Sequence, residues 1–200
     1  MNEEFFILNI REYLRQGEGG EDLLRQVLST FSCKKNVDVE KFLLNQAVDF
    51  TKKNQSVTYI VLTAKSGLMV GYFTITVKPI SVNGAGFSNT VKRKIARVSE
   101  QDPVNGTYSL AAYLIAQLGK NFSNGANEMI TGEQLLGLAI EKIKELQYMA
   151  GGMVVFLEAE NEEKLLDFYE KQNGFKRFDT KEIKSGTEDT HTLVQLLKVL

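Results

Sequence analysis

The sequence predicts an α/β (α+β) protein: a central mixed, mostly antiparallel twisted sheet with helices on both faces. Three observations carry that reading. Residues 57–64, VTYIVLTA, and 68–77, LMVGYFTITV, are rich in β-branched and aromatic residues and are joined by the short turn KSG, so they read as a β-hairpin. In the second half, strand-like runs alternate with helical ones, which calls for one parallel pair in the sheet. The first fifty residues instead show apolar spacings of three and four, the period of helices.

Taken in order, Leu23, Leu24, Val27, Leu28 and Phe31 form one apolar stripe and Val39, Phe42, Leu43, Ala47 and Phe50 another, predicting two amphipathic helices within residues 1–52. After the hairpin, Pro79 opens a different stretch. SVNGAGFSN leads into the basic segment TVKRKIARVSE and then QDPVNG, so residues 79–107 read as an inserted loop, a short basic helix and another loop. TYSLAAYLIAQLGKNF (107–122) returns to a strand. The stretch after Gly132 is a helix with Leu135, Leu136, Ala139, Ile140, Ile143 and Leu146 on one face. MVVFLEAE (153–160) is apolar enough for a strand buried on both faces. NEEKLLDFYEKQ (161–172) is a helix with Asn161 as its N-cap candidate, and GFKRFDTKEI and HTLVQLLKVL close the chain as two strands.

Composition bounds the function. Two hundred residues with 43% hydrophobic content can bury a sizeable core, which predicts a single domain over residues 1–200. Lys and Arg total 24 against 25 Asp and Glu, so the chain as a whole has no electrostatic pull toward nucleic acid or an anionic membrane, and any basic site is local. Cys33 stands alone, which rules out an internal disulfide and fits a reduced, cytoplasmic setting. The opening MNEEFFILNI carries two glutamates where a signal peptide would carry positive charge, and no apolar run approaches the roughly 20 residues of a bilayer span. With one histidine, His191, far from one cysteine, a Cys/His zinc cluster is excluded and no metal is expected; a catalytic triad would have to use His191.

One junction draws attention. NFSNGANEMITGEQLLGLAIEKIKEL (121–146) begins as a loop of small and amide residues and becomes a helix at Gly132. Thr131-Gly132-Glu133-Gln134 has the form of a capping box, which explains those residues structurally. The same helix start offers N–H groups and a partial positive charge to an anion, against which the carboxylate of Glu133 would compete. Other features read plainly from their surroundings. Tyr169 falls among Leu165, Leu166 and Phe168 as a core residue would. Lys92, Arg93, Lys94 and Arg97 look like a solvated helix face. His191 packs or faces solvent. Glu158 and Glu160 end a buried strand, and neither is marked out by its spacing as catalytic.

Residues 168–178, FYEKQNGFKRF, resemble the helix end and following strand, FYEKxGFxxF, of the GCN5-related N-acetyltransferases (GNAT), with one extra residue at Gln172 or Asn173. LGK (118–120), ending a strand before a loop and GEQLL, is similar to the place where that family has a strand, a Q/R-x-x-G-x-G/A loop and a helix. On that match Gly132 takes the final glycine position, Ile130 the middle one and Asn127 the Gln/Arg one, so a side chain at Ile130 is expected to obstruct or reshape the backbone's approach to a phosphate. Within the family, the pattern over residues 42–75 and the basic VKRKIARVS before the cofactor strand are closest to the toxins of bacterial toxin–antitoxin pairs that acetylate aminoacyl-tRNA.

The resemblance implies a GNAT fold and acetyl transfer from acetyl-CoA to a primary amine, with aminoacyl-tRNA as the acceptor and with a homodimer and an antitoxin as further partners. It places Leu118, Gly119, Lys120, Asn127, Ile130, Thr131, Gly132 and Asn161 at the cofactor. It gives Tyr169 the role of proton donor to the departing thiolate, and it gives Lys92, Arg93, Lys94 and Arg97 to the tRNA. The alternative left open by the degenerate loop is a GNAT-like domain that is catalytically weak or inactive and acts as a CoA-binding or protein-interaction module.

Overall fold

The computed structural model describes residues 4–185 and 189–200. Its strands are β1 (Phe5–Asn9), β2 (Val57–Thr63), β3 (Met69–Asn83), β4 (Thr107–Lys120), β5 (Val154–Glu160), β6 (Lys176–Ser185) and β7 (Asp189–Val199). They form one sheet in the order β1-β2-β3-β4-β5-β7-β6. The pairs β1–β2, β2–β3, β5–β7 and β6–β7 are antiparallel, and β4–β5 is parallel. The chain divides into two compact units, Met1–Thr76 with Ile115–Lys142, and Val77–Leu114 with Ile143–Leu200. Among the described residues no helix is long and apolar enough to cross a membrane.

In the first unit, four short helices precede the hairpin: α1 (Arg11–Leu14), α2 (Glu18–Leu28), α3 (Val37–Asn45) and α4 (Ala47–Lys52). The two predicted apolar stripes are buried or half-buried except for Leu23 and Phe50, which are exposed, and they are cut differently. Gln46, with φ at −123°, breaks the second stripe between α3 and α4. Asn36 caps α3, its side chain accepting from the N–H groups of Asp38 and Val39 at 3.1 Å each. Leu24, Leu28, Phe31, Phe42, Leu43, Ala47 and Val48 pack with Ile60, Met69 and Tyr72 of the hairpin. The sequence reading has no counterpart for β1. FFILN lies at the edge of the sheet, paired only with β2, and its residues alternate too little in burial to show a period of two.

β3 runs through Pro79 to Asn83, where a loop was expected from residue 79. Proline removes one ladder donor but keeps its backbone within the extended range, so the strand survives it. The predicted loop and basic helix follow later and shorter, as a 3₁₀ turn at Gly84–Gly86 and α5 (Asn89–Ile95), whose N-cap Ser88 accepts from Val91 N–H at 3.4 Å.

In the second unit, Val91 and Ile95 of α5 pack on Leu110, Ala112, Val154, Phe156, Phe178 and Leu197. α6 (Gly132–Ala150) ends in this unit, and α7 (Glu163–Asp167) follows β5. The register Val155↔Lys198 and Phe156↔Leu197 shows that the two faces of β5 are covered differently. Phe156 and Leu197 face α5, whereas Lys198 faces the segment after α7, with its ammonium 5.8 Å from the centre of the Phe175 ring and donating to the Asn173 carbonyl at 2.9 Å. Within this unit, helices therefore cover both faces of the sheet.

Asn161 does not cap α7. The N-cap position belongs to Glu162, which makes no side-chain cap bond, and Asn161 is exposed one residue earlier, in the bend where Glu162 N–H donates to Glu160 O at 2.7 Å. The extra residue in FYEKQNGF is absorbed as a wider turn of helix over Phe168–Gln172. Asn173 closes it, its Nδ2 donating to Phe168 O at 2.8 Å, and Phe175 N–H donates to Tyr169 O at 3.0 Å.

Candidate functional site

The first unit holds the strand end and loop that the sequence assigns to the cofactor. Gly119 is required by packing: a Cβ there would lie 2.4 Å from Val39 Cγ1 and 3.3 Å from the rings of Phe31 and Tyr72. Its carbonyl oxygen in turn occupies the space a Cβ on Gly71 would need, at 2.8 Å. Tyr72 is fully buried and donates from Oη to Val39 O at 2.6 Å, and burial pushes its phenol strongly upward. A Gly119→Ala substitution should cost about 1–3 kcal/mol, because Val39 is β-branched on a helix and has little rotameric freedom to yield. Urea denaturation measures it, and a loss below half a kcal/mol, roughly the spread of surface changes, would contradict the packing argument.

Lys120 follows, half-buried. Burial, and secondarily Lys35, hold its ammonium below the usual lysine range. Lys35 stands 5.0 Å from the centre of the Phe122 ring. Asn121 between them is buried and ties three segments together. Its Oδ1 accepts from Ser32 N–H and Ser123 N–H, both at 3.0 Å, and its Nδ2 donates to Thr30 O at 3.2 Å and Met69 O at 2.8 Å. Sequence reading passed over both Asn121 and Lys35; a buried asparagine hub has no signature in spacing, since its partners are distant backbone groups.

The loop Ser123–Glu128 is a 3₁₀ segment bent at Asn124 and Gly125, which take left-handed φ values of 51° and 73°. Ala126 and Ile130 are buried and anchor it. Ile130 is 1% exposed, its side chain packed within the protein. An apolar side chain at the end of a short loop gains more by burial than by covering a polar helix end. Asn127 is half-buried.

The capping box forms as the sequence predicts. Gln134 N–H donates to Thr131 Oγ1 at 3.1 Å and Thr131 N–H to Gln134 Oε1 at 2.8 Å, while Leu135 N–H makes the first helical bond to Thr131 O at 3.1 Å. The N–H groups of Gly132 and Glu133 lie ahead of that first bond and have no acceptor within the helix. Glu133 is exposed, so its carboxylate has room to turn to solvent.

The second unit holds the remaining candidates. Tyr169 is buried, its ring edge-on to Phe168 at 5.0 Å and Phe175 at 5.9 Å. Burial pushes its phenol up to about 12. Among the described residues no group pairs with its hydroxyl. Lys92 is half-buried and Arg93, Lys94 and Arg97 are exposed, and no carboxylate among the described residues pairs with any of them. Arg97 lies beyond the C-cap of α5, Ala96, so the basic set is a short helix plus the turn after it. Glu158 and Glu160 are both half-buried on β5. Gln195 Nε2 donates to Glu158 Oε1 at 2.7 Å, and Lys181 Nζ lies 3.7 Å from Oε2. His191 Nε2 lies 3.8 Å from Glu160 Oε1. Among the described residues no three His, Cys, Asp or Glu side chains come together as a metal site would require.

No family model and no curated protein matches this sequence. Solved structures do. The chain is 16% identical to AtaT in its complex with acetyl-methionyl-tRNAfMet, with 94% of each chain covered and a TM-score of 0.59. It is 16% identical to a tyrosine-to-phenylalanine variant of KacT, over 96% of this chain and 95% of that one, with a TM-score of 0.61. AtaTR bound with acetyl-CoA matches at 16% identity over 97% and 94%, with a TM-score of 0.53. At these identities the likeness is one of fold, and together with the parallel β4–β5 pair in a mostly antiparallel sheet it gives this chain the GNAT fold.

Proposed function

We propose that the protein is an N-acetyltransferase that moves an acetyl group from acetyl-CoA to a primary amine by direct attack, and that the amine is the amino group of an aminoacyl-tRNA. The observation that carries the first part is the helix start at Gly132. The box satisfies Gln134, and the N–H groups of Gly132 and Glu133 are left for a pyrophosphate. The parallel β4–β5 ladder consists of Tyr113↔Val155 and Leu114↔Phe156. The backbone of β4 at 118–120 lies beyond it, and it would pair with the amides of the pantetheine arm as an added strand does. A neutral amine then attacks the thioester carbonyl, an N–H near Gly119 stabilises the oxyanion, and Tyr169 gives its proton to the thiolate. No covalent enzyme intermediate is needed.

The tRNA part rests on the uncompensated charges of Lys92, Arg93, Lys94 and Arg97, and the structural neighbours include a toxin bound to acetylated tRNA. An antitoxin is the protein partner that accompanies this reading. Asn127, standing where the family has Gln or Arg, favours the rival of a CoA-binding or interaction module without activity.

Titrating acetyl-CoA into the purified protein by calorimetry, and following transfer of labelled acetyl to bulk aminoacyl-tRNA, separates them. Binding and transfer are expected, with the triple change of Lys92, Arg93 and Lys94 to Ala lowering tRNA acetylation at least tenfold and reducing the salt slope by about 2–3 units, about one per lost phosphate contact. No heat at millimolar cofactor would sink the enzyme reading. Transfer untouched by the triple change would remove tRNA as the acceptor.

A further inference from the structure

A strand at the edge of a sheet leaves half of its backbone groups unpaired, and natural sheets guard such edges with charges, proline or bulges. β6, at one end of the strand order, is guarded in this way. Its sequence, KRFDTKEIKS, carries lysines and acidic residues along its whole length, and its register with β7 slips between Arg177 and Asp179. β1, at the other end, is FFILN: no charge, no proline and an unbroken register with β2.

The ladder fixes which groups of β1 are free. Ala64 N–H donates to Glu4 O at 2.8 Å and Ile10 N–H to Thr58 O at 3.1 Å, so the even-numbered residues turn their N–H and C=O toward β2. Phe5, Ile7 and Asn9 therefore turn theirs outward, and among the described residues nothing bonds to them. A second copy of β1 laid antiparallel against this edge pairs all three in one register only. Ile7 then stands opposite the partner's Ile7, and Phe5 opposite the partner's Asn9.

The side chains fit the same register. Phe6 lies on the face of β1 where Leu8 and its cross-strand neighbour Leu62 pack on the helical core, yet it is 62% exposed. Self-pairing about Ile7 sets Phe6 opposite the partner's Leu8, in the type of pair whose side chains approach most closely, so each copy covers the other's phenylalanine. Charge is complementary as well. Glu4 is exposed and has no cation partner among the described residues, and the register brings it beside the partner's Ile10 and Arg11. Arg11 has no carboxylate partner among the described residues; its Nη2 donates to Asn54 Oδ1 at 2.7 Å.

We propose that the free edge of β1 is an interface between two copies of this chain, joined antiparallel about a two-fold axis at Ile7 into a continuous sheet. The inference uses only the edge of the first unit and does not rest on the acetyltransferase reading.

Sedimentation velocity on the full chain from about 1 to 100 µM tests it, with dimer expected at the upper end. Phe6→Lys places a charge on the exposed face and should raise the dissociation constant at least about tenfold, with the melting temperature of the dilute monomer unchanged. The amides of Phe5, Ile7 and Asn9 should gain protection from hydrogen exchange as the protein concentration rises. Ile7→Cys should form an interchain disulfide on mild oxidation, because a hydrogen-bonded antiparallel pair sets its Cα atoms about 5.5 Å apart. Phe5→Cys should not, since in this register the two copies of residue 5 are about 13 Å apart along the strands. Cys33 is buried and stays out of the reaction. A wild-type chain that stays monomeric at the upper concentration overturns the proposal. So does a dimer as tight in Phe6→Lys as in wild type, or one in which Phe5→Cys cross-links as readily as Ile7→Cys. Amides at Phe5, Ile7 and Asn9 already protected in the monomer mean that another segment covers the edge, and overturn it too.

Discussion

Phenylalanine at Tyr169 should lower kcat about 10²–10⁴-fold while leaving acetyl-CoA affinity within twofold. The ring contacts with Phe168 and Phe175 are those a phenylalanine would keep, and no hydrogen-bond partner of the hydroxyl is stranded among the described residues, so the fold should be indifferent to the change. Burial pushes the phenol up to about 12, which keeps it protonated at any assay pH. A phenol that weak would not protonate a solvated thiolate, whose acid titrates near 8.5 in water. Transfer becomes favourable only as the C–S bond breaks in surroundings that raise the thiolate as well. The hydroxyl can therefore give its proton to the departing thiolate only where the surroundings raise that thiolate as they raise the phenol.

Two measurements follow from this. Thiol release should show no alkaline fall in kcat attributable to Tyr169 up to about pH 10, and a loss below threefold in Tyr169→Phe would remove the residue from the mechanism. Stability carries a second signature. Because the folded value lies above that of an exposed tyrosine, the stabilisation is fully present below pH 10 and is lost as pH rises from 10 toward 12. Alkaline unfolding should be less steep in the phenylalanine variant.

Replacing Asn121 with leucine should destabilise the protein by about 3–5 kcal/mol, among the largest costs expected of any single change here. The side chain is 1% exposed, and leucine would fill its volume while leaving the N–H groups of Ser32 and Ser123 and the carbonyls of Thr30 and Met69 without their partner. Ser123 begins the loop that leads to Gly132, so the same change should weaken acetyl-CoA binding even in protein that remains folded. Urea unfolding and calorimetry read the two effects separately. A loss below 1 kcal/mol, no more than one ordinary hydrogen bond, would mean that water replaces the amide and that Asn121 is not a hub.

The parts of this molecule readable from the sequence are those decided within a few residues. The hairpin at 57–77, the apolar stripes of the N-terminal helices, the long helix at Gly132 and its Thr131/Gln134 box depend on period and on neighbours three or four positions away. The likeness in FYEKQNGF identified the fold, and the structure accommodates its extra residue by widening one helical turn, a local adjustment whose form the sequence did not announce.

What tertiary structure decided is where side chains go when their partners are far along the chain. β1 is a strand because β2 supplies a ladder for it, and β3 passes Pro79 because a sheet tolerates one missing donor. Asn161 is left exposed because the helix begins after Glu162. The burial of Ile130, the four bonds of Asn121 and the difference between Glu158 and Glu160 belong to the same class. Two glutamates separated by one residue on a strand are equivalent in sequence; only the register that sets Gln195 opposite Glu158 makes one of them a fixed carboxylate. The sequence by itself determined the hairpin, the long helix with its box and the alternation of strands and helices in the second half, since period, capping and turn chemistry are short-range. The chemistry of the site waited on the fold, because burial, hydrogen bonding and the choice of sheet face are set by residues that meet only when the chain is folded.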